Sequence, residues 1–235
     1  DHRDLHSFPT RRSSDLGGSD RETLEQIKVS LPTFIRTSDR SITLQDFEDN
    51  IQRISGVSRC LAVDKQYAIT NGIEVVVPNN EVFVYIVPST GYTLTDTLKA
   101  EIESAIANKY KTWSSVIVRI VEANYKSIDL AAKVYFEDNT NPYYVMPSIR
   151  DSIRSYFNPS AIDVFGVYTM NWGVKLREIS TSKLIAIIEG FRSGGVRKVV
   201  FTNPTTDSVT IDKLLFPSLN DITGIIPVDK DGVAL

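Results

Sequence analysis

The run SIDLAAKVYF, residues 127–136, restricts what this chain can fold into more than any other stretch does. Every second side chain is apolar, which predicts a β-strand that buries one face. Asn141-Pro142 then interrupts the chain, and the next apolar residues recur every four positions, as on one face of a helix. These helical positions are Val145, Ile149, Ile153 and Phe157. A half-buried strand followed by an amphipathic helix predicts an α/β (α+β) fold in which helices cover sheets.

A first α/β unit is predicted over residues 43–122, and it opens with a helix. Thr43 with Asp46 three positions later indicates the helix start, because these side chains can bond the free N–H groups of a first turn. The apolar face comprises Phe47, Ile51 and Ile54. Gly56 is expected to end this helix in a left-handed conformation, directly before a strand that starts at Val57.

The same unit is predicted to contain several strands and a second helix. Apolar runs rich in β-branched residues indicate strands at 59–63, 73–77, 82–87 and 116–121. Pro78-Asn79-Asn80 is expected to connect the second and third of these as a hairpin. A helix is predicted from an apolar stripe between the last two strands, comprising Leu94, Leu98, Ile102, Ala105 and Ile106. The unit therefore reads helix, three strands, helix, strand.

A second α/β unit is predicted over residues 123–235. After the strand and helix described first, the run LIAIIEGF behind Ser182 predicts another helix. Strands are predicted at 196–201 and 222–228. Gly195-Val196 repeats the order helix, Gly-Val, strand seen at Gly56-Val57, which indicates two related units. The predicted architecture is two tandem small α/β sandwich units, loosely ferredoxin-like.

Residues 1–42 are predicted to contribute little to these units. In residues 17–42, the Ser19-x-x-Glu22 pattern predicts a helical segment. Residues 1–16 show neither helical nor strand periodicity, and HSFPTRRSSDL resembles the conceptual translation of a common short-read sequencing adapter. Whether this segment is an artefact or a natural tail, it is expected to lie outside the fold.

Composition excludes most ordinary catalytic centres. Both histidines, His2 and His6, precede Gly17, and one cysteine, Cys60, follows it. Histidine-dependent nucleophiles, bases and metal sites are therefore not expected. Cys60 lies in an apolar run and is expected to be a small buried side chain, with no disulfide partner in the chain; this usage suits a reducing cytoplasm.

Charge and hydropathy argue against nucleic-acid and membrane partners. The net charge is −3, and no cluster of Lys and Arg is present to contact phosphates. No apolar run approaches the roughly 18 residues needed to cross a bilayer. A soluble globular protein without catalytic, cofactor or metal residues is the expectation.

Several charged motifs are better explained by structure than by chemistry. Asp46 and Asp49 lie in the first turns of a helix, where negative charge is favourable. Arg36 and Arg40 bracket Asp39, which indicates a surface ion-pair network or a subunit contact. An acid/base hydrolase would need two facing carboxylates, and no sequence spacing predicts them.

Glycine motifs and aromatic residues complete the candidates. Asp229-Lys230-Asp231-Gly232 lacks the other ligands of a calcium loop and is interpreted as a turn. Gly194-Gly195 lacks the wider pattern of a phosphate cradle and is interpreted as a helix end. Four aromatic residues are assigned to either core or interface: Tyr143, Tyr144, Tyr168 and Trp172.

The stretch from Gly17 to Val63 has a Gly-Gly-x-Asp start, an acidic helix start, an Arg-Thr-x-Asp-Arg turn, an Asp-aromatic pair and a Gly-Val strand start. The residues of these motifs are Gly17, Gly18, Asp20, Glu22, Thr23, Arg36, Thr37, Asp39, Arg40, Asp46, Phe47, Gly56 and Val57. This pattern resembles that of the baseplate J-like proteins, the wedge components of contractile phage tails and related particles. Family members usually have sequence before this pattern, so the chain is expected to be a carboxy-terminal fragment.

The resemblance implies a structural, non-enzymatic virion protein of the tail baseplate, made in the host bacterial cytoplasm. It implies assembly with itself and with other wedge proteins around a sixfold axis, and a role in coupling host contact to sheath contraction. A contractile bacteriocin or a secretion-type injection particle would use the same fold. A different class, a small-molecule-binding α/β regulatory module, is the alternative that a convergent polar pocket would favour.

Deletion of residues 1–16 is expected to leave stability unchanged, because nothing in this segment can build a core. Thermal unfolding of the chain from Gly17 to Leu235 should match that of the full chain. A loss of roughly 1 kcal/mol or more, corresponding to several degrees, would instead place the segment in the fold.

Overall fold

The computed structural model describes residues 39–138, 140–161, 169–170, 172–173 and 178–235. The chain divides into two compact units, Asp1–Arg36 and Thr37–Leu235, and every described residue belongs to the second. The segment 1–16 and the helix predicted from Ser19 lie outside the described residues.

The second unit contains five described α-helices, one 3₁₀-helix and eight strands. In chain order these are α1 Leu44–Gln52, β1 Val57–Val63, α2 Lys65–Asn71, β2 Glu81–Pro88, α3 Asp96–Asn108, β3 Ile117–Glu122, β4 Asn124–Phe136, α4 Pro142–Phe157, β5 Glu178–Ser180, α5 Thr181–Glu189, the 3₁₀-helix Gly190–Gly194, β6 Val196–Asn203, β7 Ser208–Thr210 and β8 Leu215–Val228. The predicted fold class, mixed α and β with small open sheets, is confirmed.

Helix α1 begins as the sequence predicts. Thr43 is the N-cap: its Oγ1 accepts the N–H of Asp46 at 3.2 Å, and the Asp46 carboxylate accepts the N–H of Thr43 at 2.9 Å. This reciprocal capping box satisfies two N–H groups that the helix itself cannot bond. Phe47 and Ile51 are buried on the predicted apolar face.

Gly56 adopts the predicted left-handed conformation, with φ +90°, but it does not end α1. The helix ends at Gln52, and Arg53 is its C-cap with ordinary right-handed dihedrals. A turn over residues 53–56 then leads into Val57 and β1. The predicted backbone conformation of Gly56 is confirmed, but the predicted helix boundary is wrong, because residues 53–56 form a turn between the end of α1 and β1.

Gly56→Val is expected to destabilise the protein by roughly 1–2 kcal/mol, because an L-residue is strained at this φ. A Cβ at this position would also lie 3.1 Å from Cδ1 of Leu98 on α3. Chemical denaturation measures the loss. Gly190→Val offers a comparison at a position with ordinary φ and open space, and equal losses for the two variants would contradict the strain argument.

The first sheet has the order β1-β2-β3, with β1 antiparallel and β3 parallel to β2. Both faces of its central part are buried, and successive residues along β1 and β2 point to opposite faces. Cys60, Ala62, Val84 and Ile86 pack toward α1 and α3, whereas the alternating partners face the rest of the unit. These partners are Leu61, Val63, Tyr85 and Val87.

The strand predicted at 73–77 and its hairpin are wrong. Residues 73–77 form no ladder among the described residues, and β2 pairs with β1 and β3. The preceding residues form α2, because the Asp64 side chain caps its start by accepting the N–H of Tyr67 at 2.6 Å. Gly72, with φ +58°, ends it in the left-handed conformation. This pair of caps turns the chain away from the sheet before the apolar run begins.

The second sheet has the order β6-β4-β8, with β6 antiparallel and β8 parallel to the central β4. The predicted alternation on β4 is confirmed, since all five apolar side chains of the run are buried. Strand β8 is longer than the predicted segment 222–228. Its pairing with β4 is interrupted by irregular register near Asp129 and Asp221. Strands β5 and β7 form a separate antiparallel pair that sequence analysis did not predict.

Helices α4 and α5 pack on the second sheet through the positions that the sequence predicts. On α4, Ile149, Ile153 and Phe157 are buried, and on α5 Leu184 and Ile188 are buried. Helix α5 begins at Thr181 behind Ser180, slightly earlier than the predicted start at Ser182. The apolar core beneath these helices continues to the inward face of the first sheet, so both sheets share one core.

The two predicted Gly-Val junctions are alike in backbone geometry. Gly195, with φ +85°, follows the 3₁₀-helix and leads into Val196 of β6, as Gly56 leads into Val57 of β1. The predicted domain boundary between 122 and 123 falls where the two sheets meet in sequence, and the division into 43–122 and 123–235 stays a prediction. Among the described helices, none has the length and apolar character that a membrane crossing requires.

Candidate functional site

Four residues from the resemblance lie together at the start of α1. Asp39 has a left-handed backbone, with φ +57°, and its carboxylate lies 3.4 Å from NH1 of Arg53. The buried Asn50 side chain donates to the carbonyl of Arg40 at 3.0 Å, and Asp46 and Phe47 lie in the first turn of the same helix. Gly17, Gly18, Asp20, Arg36 and Thr37 lie outside the described residues.

Hydrogen bonds from this cluster fix the position of the backbone before α1. Asn50 also donates to Oγ of Ser41 at 3.1 Å, and the N–H of Ser41 bonds the carbonyl of Lys111 at 3.1 Å. The segment before α1 is thereby tied to the chain beyond α3. The Asp39–Arg53 contact is part-exposed and contributes roughly 1 kcal/mol or less. The predicted network around Asp39 thus includes Arg53, which the sequence analysis did not identify.

The carboxylates near α1 have structural partners. Asp46 completes the capping box, and Asp49 accepts from the side-chain amide of Gln45 at 2.9 Å. Glu48 accepts the N–H of Ala62 at 3.0 Å and so occupies a backbone donor on β1. Within the described ranges, no cluster of three or more His, Cys, Asp or Glu side chains could hold a metal ion.

Cys60 is a buried side chain, as predicted. It is 4% exposed, and its Sγ donates to the carbonyl of Glu48 at 3.1 Å. Burial, and secondarily the charge of Glu48, raise the pKa of the Cys60 thiol well above its ordinary value. The thiol therefore stays protonated at neutral pH and lacks the thiolate character that a nucleophile or metal ligand needs.

An open groove of about 600 Å³ lies where residues after β2 approach β8 and the end of α4. The irregular part of β8 directs polar residues into it. Their hydrogen-bonding groups largely bond one another: Asp221 accepts from Thr223 at 2.8 Å, and Asn220 donates to Asp129 at 2.8 Å. The two bonds from Thr223 lower the pKa of Asp221. These polar groups are therefore occupied by hydrogen bonds within the protein. A small-molecule site would instead direct several polar groups at the ligand.

A second groove, of about 630 Å³, lies beside the first turns of α4 and is lined mainly by apolar residues. Tyr143 lines this groove and is 80% exposed, and Tyr144, the next residue on α4, is 77% exposed. Their rings meet edge to face at a centroid distance of 6.2 Å. Arg150 lines the groove and donates from NH2 to the carbonyl of Ile225 at 3.0 Å. Exposed aromatic side chains next to an apolar groove are typical of a protein-binding surface, and here Tyr143 lines the groove while Tyr144 adjoins Tyr143.

The remaining sequence candidates are structural where they are described. Asp229 accepts the N–H groups of Asp231 and Val233 at 2.9 and 2.8 Å, and Gly232 has φ +83°, so this motif is a turn, as predicted. Gly195 is the left-handed C-cap of the 3₁₀-helix. Trp172 is buried, in contrast to the exposed tyrosine pair, and Tyr168 lies outside the described residues.

Comparison with solved structures finds a likeness to the anti-feeding prophage baseplate, determined by cryo-EM with sixfold symmetrisation. The likeness covers 88% of this chain and 43% of that chain, with a TM-score of 0.58 and 14% sequence identity. The chain thus spans less than half the length of the baseplate chain whose fold it shares. No protein-family model matches the sequence, and a search of curated proteins finds no significant match.

Proposed function

We propose that this chain is a non-enzymatic structural part of a baseplate wedge in a contractile particle, of the baseplate J-like kind. The observation that carries the proposal is the fold shared with the anti-feeding prophage baseplate over 88% of the chain. The motifs between Gly17 and Val63 support it independently, because they were identified from sequence alone. The chain would assemble with copies of itself and with other wedge proteins around a sixfold axis.

The surface chemistry supports a role through interfaces. Tyr143 of the exposed tyrosine pair lines an apolar groove, Tyr144 contacts the Tyr143 ring, and aromatic side chains contribute strongly to protein–protein binding. The carboxylates at the start of α1 are engaged in capping and side-chain hydrogen bonds. The mechanism that we propose is rearrangement of contacts between chains when the particle meets its host, with no bond chemistry.

A contractile bacteriocin or a secretion-type injection particle stands beside the phage tail within the same proposal. The matched structure, the baseplate of an anti-feeding prophage, is compatible with each, because these particles would use the same fold. In either case the chain would reside in the particle and be made in the bacterial cytoplasm.

Deletion of the gene tests the proposal. Cells that carry the gene among its natural neighbours should lose contractile particles on deletion, as seen by electron microscopy, and regain them on complementation. Normal particles without the gene would contradict the proposal. So would turnover of a defined substrate that one Asp or Glu substitution abolishes while folding and incorporation are retained.

Replacing Tyr143 and Tyr144 together by serine is expected to reduce incorporation into the particle by about tenfold or more, since buried aromatic residues at interfaces commonly contribute 2 kcal/mol or more. A pair is replaced because such interfaces bury upward of about 2,000 Å² and tolerate single changes. Quantification of the chain in purified particles measures the effect.

The matched control for the tyrosine pair is Lys99→Ser with Glu103→Ser on α3, which replaces two exposed residues without changing net charge. Both double variants should unfold within about 0.5 kcal/mol of the unchanged chain. Equal incorporation of the two variants would exclude the tyrosine pair from the interface.

A further inference from the structure

Between β1 and β2 the chain leaves the first sheet through residues 64–79, which we call the connecting segment, and then returns to it. Val63 pairs with Phe83 across the two strands, so both ends of the segment are held at neighbouring points of one antiparallel ladder. The segment contains the short helix α2 and pairs with none of the described strands. It can therefore move away from the sheet while β1 and β2 stay paired.

The connecting segment buries few side chains. Ala68, Ile73 and Val77 are buried in the main core, and most of the remaining residues of the segment are exposed. Every residue of β1 is buried, and so are the residues of β2 from Val84 onward. Opening of the segment would expose much less apolar surface than unfolding of the sheet, and regions that expose little surface open at a lower free energy.

Hydrogen bonds within the connecting segment join its parts to one another. The N–H of Ile73, which lies beyond α2, bonds the carbonyl of Ala68 inside the helix at 2.9 Å. Nζ of Lys65 donates to Oδ1 of Asn79 at 2.8 Å and so joins the beginning of the segment to its end. Because the helix and the residues after it are bonded to each other, we expect them to open as one unit.

Lys213 reaches the connecting segment from the second sheet. Its Nζ donates to the carbonyl oxygen of Asn71, the last residue of α2. The last carbonyl groups of a helix have no partner within the helix and carry partial negative charge, so an ammonium group is a favourable partner for them. A cation at this position stabilises the closed arrangement and has to withdraw when the segment opens.

The turn that carries Lys213 is fixed to the second sheet. The N–H of Leu215 bonds the carbonyl of Asp212 at 3.0 Å, and Leu215 is also the first residue of β8. Nε1 of the buried Trp172 donates to the carbonyl of Leu214 at 3.3 Å. The side chain of Lys213 therefore extends to α2 from a base that the second sheet holds in place.

We propose that residues 64–79 open and close as one unit while both sheets stay folded, and that the Lys213 ammonium group is the tether that opposes the opening. In the closed state Lys213 holds the end of α2, and the buried side chains of the segment lie in the core. In the open state Nζ of Lys213 and the Asn71 carbonyl are hydrated, and the segment extends from the ladder of β1 and β2. The inference goes beyond the proposed function and does not depend on it, because every contact involved lies within one chain.

Native-state hydrogen exchange on the full chain, followed by NMR at urea concentrations below the unfolding transition, tests the inference. The amides of Ala68 and Ile73 should share one opening constant, at least about tenfold larger than that of the β2 amides from Val84 to Val87, and a weaker dependence on urea. Exchange of Ala68 and Ile73 with the constant and urea dependence of β2 would mean that the segment opens only by global unfolding, and would overturn the inference. Unequal constants for Ala68 and Ile73 would mean independent fraying, and would overturn it too.

Replacement of Lys213 tests the tether. Lys213→Met removes the ammonium group and keeps an unbranched side chain, so the opening constant of Ala68 and Ile73 should rise about tenfold or more, as expected for loss of a charged hydrogen bond. Lys213→Arg keeps a cationic donor and should raise the constant less. Lys99→Met makes the same charge change at an exposed position of α3 and should leave the constant within about twofold. An unchanged constant in Lys213→Met, or an equal rise in Lys99→Met, would show that Lys213 is no tether.

Discussion

Replacing Phe47 by alanine is expected to lower the free energy of unfolding by about 3–5 kcal/mol. Phe47 is 2% exposed and packs in the core between α1, α3 and the first sheet. Its loss removes apolar burial and leaves a cavity that surrounding strands cannot close. For a chain of this size, thermal unfolding should shift downward by roughly 6–20 °C.

Tyr143→Ala is the matched control for Phe47→Ala, because it also removes an aromatic ring from the first turns of a helix. Tyr143 is 80% exposed, so its removal should change stability by no more than about 0.5 kcal/mol. Calorimetry or chemical denaturation compares the two variants. A loss below about 1 kcal/mol for Phe47→Ala would show that this core is less tightly packed than its burial indicates.

Gly224→Ala is expected to destabilise the protein by about 1–3 kcal/mol. Gly224 lies opposite Ala131 in the parallel pairing of β4 and β8. A Cβ at position 224 would lie 2.7 Å from Cβ of Ala131 and 3.2 Å from the carbonyl oxygen of Leu130. Both neighbours are short or part of the backbone, so the strands themselves would have to separate. Chemical denaturation measures the loss.

The control and the rescue for Gly224→Ala use the same chemistry. Gly190→Ala adds a methyl group in open space at ordinary dihedrals, and it should be neutral or slightly stabilising. Ala131→Gly combined with Gly224→Ala restores the space, so the double variant should lose less than the sum of the two single losses. Additive losses would place the strain elsewhere.

The parts of the fold that follow from local pattern were predictable. The alternation on β4 and the four-residue repeat on α4 place their side chains correctly, since burial of one face fixes each pattern. Thr43 with Asp46 identifies the start of α1, because the capping box is contained within four consecutive residues. These features require no knowledge of distant neighbours.

The prediction was wrong for the region between β1 and β2. The composition of residues 73–77 predicts a strand, but a strand also needs a neighbouring strand to pair with, and local sequence does not identify that neighbour. The helix before it was missed although Asp64 and Gly72 are typical caps, because its seven residues bury only Ala68 fully and show no apolar stripe. Residues 73–77 therefore combine a strand-forming composition with no strand partner among the described residues.

The candidate surfaces were only partly visible in the sequence. The sequence left open whether Tyr143 and Tyr144 belong to the core or to an interface. Both side chains are exposed, so they are not part of the core. The groove beside β8 depends on the register of β4 against β8, which joins residues about ninety positions apart in sequence. Such a juxtaposition follows from topology and is not encoded in any short motif.

The link between the two sheets has a mechanical consequence. Ala123 alone separates β3 from β4, it is 3% exposed, and its N–H bonds the carbonyl of Ile86 at 3.0 Å. A hinge needs a few residues that can change φ and ψ freely, and this joint offers one, locked by a hydrogen bond and by the shared core. A rotation of one sheet would therefore rotate the other sheet with it. In the contractile particle that we propose for this chain, the two sheets would therefore move as one rigid body, and changes of shape would occur at its contacts with neighbouring proteins.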